Sequence, residues 1–134
     1  MSSKSVPSNE ELAQRARRLS LGRNTPKAGR ALGELGPRAV PALEKALAHS
    51  NPFVRSGALH GLGAVTPSSE AIVQRVEGAL RNDADPRVRE TACFVLGQLG
   101  GDAVRLSREA LEEARRDDDE RVRTAAAKAL DRDG

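Results

Sequence analysis

The chain has 134 residues, enough for one domain, and its hydrophobic content of 38% is ordinary for a soluble protein. Phe53 and Phe94 are its only aromatics, so a core must be filled by Leu, Val and Ala, which suits closely spaced helices better than a barrel or sandwich. No apolar run reaches the roughly 20 residues of a membrane span, the opening MSSKSVPSNEE lacks the apolar stretch of a secretory signal, and Cys93 has no second cysteine to pair with, so the expected setting is the cytoplasm without membrane insertion. Charge is unevenly placed: residues 1–60 hold 10 Lys/Arg against 4 Asp/Glu, and residues 61–134 hold 12 against 15, making the amino-terminal part basic and the remainder acidic.

In chain order, residues 1–7 read as a flexible tail, and Ser8 with Glu11 gives the capping-box spacing that opens a helix over SNEELAQRARRLSL. At its end, in RARRLSLGR, Arg15, Arg17, Arg18 and Arg23 surround Ser20; RRLSLG resembles a basophilic kinase substrate motif, and the plainer reading is a solvated helix end. Three segments then align at a spacing of 34: NPFVRSGALHGLG from Asn51, DPRVRETACFVLG from Asp85 and DERVRTAAAKALD from Asp119. Val54, Val88 and Val122 coincide, as do Arg55, Arg89 and Arg123, then Ala58, Ala92 and Ala126, then Leu62, Leu96 and Leu130. A weaker copy places Ala28, Leu32 and Gly33 at an offset of 30 from Ala58, Leu62 and Gly63.

Apolar residues at i, i+4 and i+8 give each segment a helical stripe. Asn51 and Asp85 can cap the first free amides, and Pro52 and Pro86 suit the first helical position. Gly36, Gly100 and Gly101 offer permissive backbone for leaving the helices. Between these segments lie AVPALEKALAH, EAIVQRVEGALRN and AVRLSREALEEARRD, each amphipathic. The expectation is eight helices in four antiparallel pairs with no strands, forming a single domain over 8–134 with units near 8–36, 37–66, 67–101 and 102–134.

The units lack the Trp and Tyr positions of tetratricopeptide repeats. They resemble HEAT repeats, especially the short HEAT-like type also found in phycobilin lyase-related proteins, through GPRAVPALEKAL followed by Asn51-Pro52, Val54-Arg55 and Leu62-Gly63. The resemblance runs from about Ala28 to Leu130 and implies an all-α, armadillo-like fold: a right-handed α-α superhelix, or solenoid, of about four helix pairs. It also implies inter-repeat hydrogen bonds from Asn51, Asp85 and Asp119 with Arg55, Arg89 and Arg123, and a concave surface lined by the second helices.

At 100° per residue, positions 53, 57, 60 and 64 and their counterparts lie opposite the core line. Candidate partner-binding residues on that face are Arg23, Lys27, Arg30, Phe53, His60, Arg87, Phe94, Arg121 and Lys128. Both phenylalanines sit in columns that are polar elsewhere; each ring either fills a gap between helices or stands out as a binding anchor.

Other motifs carry less. The acidic run Asp117–Glu120 lacks the alternating ligands and turn glycine of a calcium loop and sits where negative charge favours a helix start. His49 and His60 have no ligand-spaced neighbours, and Cys93 aligns with Leu59 and Ala127 as a small core residue, so no metal, cofactor or catalytic residue is expected. The reading is a non-catalytic interaction module, a scaffold or adaptor, whose concave face holds a protein partner with acidic residues. Alternatives are nucleic-acid binding through the same basic face, as in HEAT-like DNA glycosylases, and, last, a phycobilin lyase-like enzyme.

Overall fold

A computed structural model describes residues 8–132; the expected tail, residues 1–7, and the last two residues of the expected domain lie outside the described residues. In chain order the helices are α1 (Asn9–Ser20), α2 (Thr25–Gly33), α3 (Val40–Ala46), α4 (Pro52–Ala64), α5 (Glu70–Asn82), α6 (Pro86–Leu99), α7 (Gly101–Leu106), α8 (Arg108–Ala114) and α9 (Glu120–Leu130), with a 3-10 turn at Pro37–Ala39 ahead of α3. Among the described residues there is no strand.

Local chemistry explains where these helices start and stop. Ser8 Oγ accepts a hydrogen bond from the Glu11 amide at 3.0 Å, but the Glu11 carboxylate leaves the capping box half closed and pairs with Arg15 at 2.9 Å. The side chains of Asn51, Asp85 and Asp119 accept from the amides of Phe53, Arg87 and Arg121 at 2.8, 2.8 and 2.9 Å, so α4, α6 and α9 share one start. Asn24, before α2, adopts the left-handed conformation with φ 45° and gives no side-chain cap. Gly36 and Gly100 turn the chain out of α2 and α6 at φ 93° and 100°, values that favour glycine. Gly101 plays no such role; it is the first residue of α7.

The extra helix relative to eight comes from one residue. Ser107 occupies a buried position in the fourth unit's first helix, where its hydroxyl donates to Glu77 Oε1 on α5 at 3.4 Å. Its backbone, at φ −106° and ψ 15°, breaks the segment into α7 and α8.

Helices α2, α4, α6 and α9 stack on one another as one layer, while α1, α3, α5 and α8 pack on them as a second. Val54, Val88 and Val122, with Ala58, Ala92 and Ala126, are all buried between the layers, beside Leu62 and Leu96. Leu130, in the last unit, is only partly buried. This all-α solenoid keeps equivalent residues of successive units side by side.

The closest approach is between α2 and α4. A Cβ placed on Gly29 would lie 1.8 Å from the Gly57 carbonyl oxygen, and one on Gly33 would lie 2.0 Å from that of Gly61. Two glycines four residues apart on each helix thus bring backbone against backbone, as small residues do wherever helices pack without intervening side chains. Gly57 therefore faces α2 and is buried, which removes it from the solvent face where angular projection alone puts it.

Candidate functional site

Because the second helices share one register, their free side chains form two rows across the layer. Phe53, Arg87 and Arg121 make one row, with Arg23 in the turn before α2 rather than on the helix. Arg30, His60, Phe94 and Lys128 make the other.

Both phenylalanines are 49% exposed, so neither folds down into the core. Arg87 stacks its guanidinium 4.6 Å from the centre of the Phe53 ring while holding Asp85 at 2.8 Å. That bond keeps the Asp85 carboxyl down at about 2. Arg121 returns in the same way to its own capping residue, Asp119, at 3.1 Å. Two of the candidate cations are therefore neutralised locally. Arg23, Lys27, Arg30 and Lys128 form no ion pair among the described residues.

Phe94 meets His60 edge-on, with ring centres 5.8 Å apart and planes at 62°. Burial, and then the positive charge of Arg30, hold the His60 imidazole below its ordinary value. The unfolded chain therefore takes up this proton first as pH falls. The contribution is fully present above about pH 6.5, the ordinary histidine value, and is lost as pH drops toward the folded value. Urea unfolding at stepped pH should show this loss in the wild type and a smaller one in His60→Gln; an equal loss in both would assign it elsewhere.

Between α6 and α9 lies an open groove of about 800 Å³. It gathers His60, Phe94, Arg121 and Lys128 from the expected set, and adds Glu90 and Thr124, which sequence reasoning did not single out. Cys93 forms part of its floor; the thiol is buried, and burial pushes it up to about 12. Such a thiol is inert as a nucleophile. Arg23, Lys27, Arg30, Phe53 and Arg87 lie outside the groove.

The inter-repeat contacts use acids other than those expected. Arg55 Nε and Nη2 grip Asp83 at 2.8 and 3.0 Å, and Arg89 grips Asp117 at 2.9 and 3.0 Å, each across 28 residues. Asp83 and Asp117 also accept from the amides of Asp85 and Asp119, both at 2.9 Å. Asn51, Asp85 and Asp119 serve as caps within their own units, and Arg123 donates to the carbonyls of Asp117 and Asp118. The detectable signal was the acid two residues before each cap, a column that His49 interrupts in the second unit. The acidic run thus splits into a ladder residue, Asp117, and a cap, Asp119. Among the described residues no three His, Cys, Asp or Glu side chains converge as a metal site.

A family model described as HEAT repeats matches residues 73–132, and one described as PBS lyase HEAT-like repeat matches residues 27–49, together more than half of the chain. The chain belongs to the HEAT-repeat family. No curated protein matches it. Among solved structures, the crystal structure of an engineered protein is similar with a TM-score of 0.53 at 18% identity, covering 95% of this chain and 57% of that one. The HEAT chain described here therefore spans less than two thirds of that structure, and the likeness concerns the fold. HEAT repeats generally mediate protein interactions, and no helix among the described residues is long and apolar enough to cross a membrane.

Proposed function

We propose that the second-helix layer is the concave docking surface of a non-catalytic scaffold or adaptor, and that its partner is a protein bearing acidic side chains. The observation that carries this is Phe94: a half-exposed ring on a groove, edge-on to His60, with Lys128 in the same groove and Arg30 outside it at the other end of the row, neither in an ion pair among the described residues. An aromatic held in place at the centre of a surface is the kind of side chain that dominates binding energy, and unpaired cations around it favour carboxylates. A protein partner fits better than nucleic acid, because Glu90 and Glu120 line the same groove as Lys128: they would repel a continuous row of phosphates, whereas a protein can place its carboxylates at the Lys128 end alone. The buried lone thiol of Cys93 agrees with a cytoplasmic setting.

The test is an affinity pull-down comparing wild type with Phe94→Ala and with Phe94→Ala plus Arg30→Glu. Phe94→Ala should weaken capture of the wild-type partner roughly thirtyfold, the size of a hot-spot truncation, with the melting temperature nearly unchanged. Undiminished capture together with a large drop in melting temperature would assign the ring to packing alone. Capture of duplex DNA with a steep salt dependence would favour the nucleic-acid alternative.

A further inference from the structure

The groove between α6 and α9 is electrically polarised along its length. Gly97, near the end of α6, lies against Ala129, near the end of α9, so the two helices run parallel and both begin at the same end of the groove. At that end stand Glu90 and Glu120, neither of which forms an ion pair among the described residues. At the far end stand Lys128 and Arg132, likewise unpaired among the described residues. Arg121 lines the Glu90/Glu120 end as well, but it is paired with Asp119 at 3.1 Å, so the two glutamates set the sign there, and Phe94, Gly97 and Ala125 line the stretch between the ends. Glu120 and Lys128 are separated by about 12 Å along the axis of α9, at the rise of an α-helix.

A helix dipole accounts for Glu120 in the first turn and for Lys128 in the last turn of α9. It does not account for Glu90, which lies beyond the first turn of α6, or for Arg132, which lies past the end of α9. A groove with anionic and cationic ends and an apolar middle has a ligand polarity built in.

Resting on the proposed docking function, we propose that this groove selects a peptide segment of its protein partner by charge order: a basic side chain at the Glu90/Glu120 end, an apolar side chain against Phe94, and a carboxylate at the Lys128/Arg132 end. About 12 Å corresponds to about four residues of extended chain, so the three features fall within one short linear segment. Uniformly acidic segments are disfavoured at one end, and phosphate backbones with them.

The test pans a displayed library of random 12-residue peptides against the full chain. Dissociation constants of the selected peptides are then measured against wild type, Phe94→Ala, Glu90→Lys with Glu120→Lys, Lys128→Glu with Arg132→Glu, and the fourfold variant, with circular dichroism confirming that each folds. The expected peptides share the basic–apolar–acidic order, bind each two-site variant at least tenfold more weakly, and in reversed charge order prefer the fourfold variant. Peptides that are only acidic, depend on Phe94 and bind the Glu90→Lys, Glu120→Lys chain as well as wild type would overturn the charge order while leaving the docking function standing. Peptides indifferent to Phe94→Ala, or no selected peptide, would overturn both.

Discussion

Gly29→Ala is expected to cost about 3 kcal/mol, lowering the melting temperature by roughly 10 °C. The added methyl has nowhere to go: its position lies 1.8 Å from the Gly57 carbonyl oxygen and 2.6 Å from the carbonyl carbon, both backbone atoms. A side chain can rotate away from such a contact, but a helix backbone must translate. Moving α4 off α2 would also disturb Gly33, whose own Cβ position is 2.0 Å from Gly61. Alanine is the better helix former, so propensity alone predicts the opposite sign. Gly78 on α5 provides the control, since nothing lies within 4 Å of its Cβ position. Gly78→Ala should stabilise the chain by about 0.5–1 kcal/mol. Urea unfolding of both variants checks the pair of signs, and a Gly29→Ala midpoint equal to wild type would refute the close approach.

Arg89→Ala is expected to be comparably severe, at about 3–5 kcal/mol. The side chains of Arg89 and Asp117 are 18% and 14% exposed, so the pair is largely shielded from water. Removing the guanidinium leaves the Asp117 carboxylate without its bidentate partner and strips the carbonyls of Asp83 and Ala84 of a donor at 2.8 and 3.1 Å. Arg89→Lys keeps the charge without the planar fork and should recover only part of the loss. Acid gives an independent check. The Arg89 guanidinium holds the Asp117 carboxyl below its ordinary value, so this contribution is present above about pH 3.9, the ordinary aspartate value, and fades as pH falls toward the folded value. The acid-dependent loss should shrink in Arg89→Ala; an unchanged acid limb would show that the ladder is not its source.

The ladder also shows where the sequence was readable. Val54, Val88 and Val122 announce themselves because one packing job recurs in identical surroundings, and the same holds for the Ala58 and Leu62 columns. Asp83 and Asp117 did not stand out, because His49 takes their place one unit earlier and its Nδ1 accepts from the Asn51 amide without meeting an arginine across the units. The glycine contacts were hidden for another reason. Within α2 alone, Gly29 and Gly33 look like gaps in an amphipathic helix; their spacing acquires meaning only opposite Gly57 and Gly61 on a helix some thirty residues away. Projection onto a single helical wheel placed Gly57 outside because a wheel has one inside, whereas α4 is flanked by α2 and α6 as well as by its own partner α3. The aromatic columns were visible, but their exposure depended on whether Arg87 and His60 would lie over the rings or beneath them.

Cys93 gives the molecule a built-in clock. It is the chain's one thiol, fully covered, and set in the floor of the groove between α6 and α9. Alkylation must wait for the packing over the thiol to open, so the rate of labelling by a small maleimide counts such openings. A peptide seated against Phe94 would slow that rate in proportion to its occupancy, while denaturant would speed it. The residue with the least chemistry of its own thereby times the motion of the surface around it.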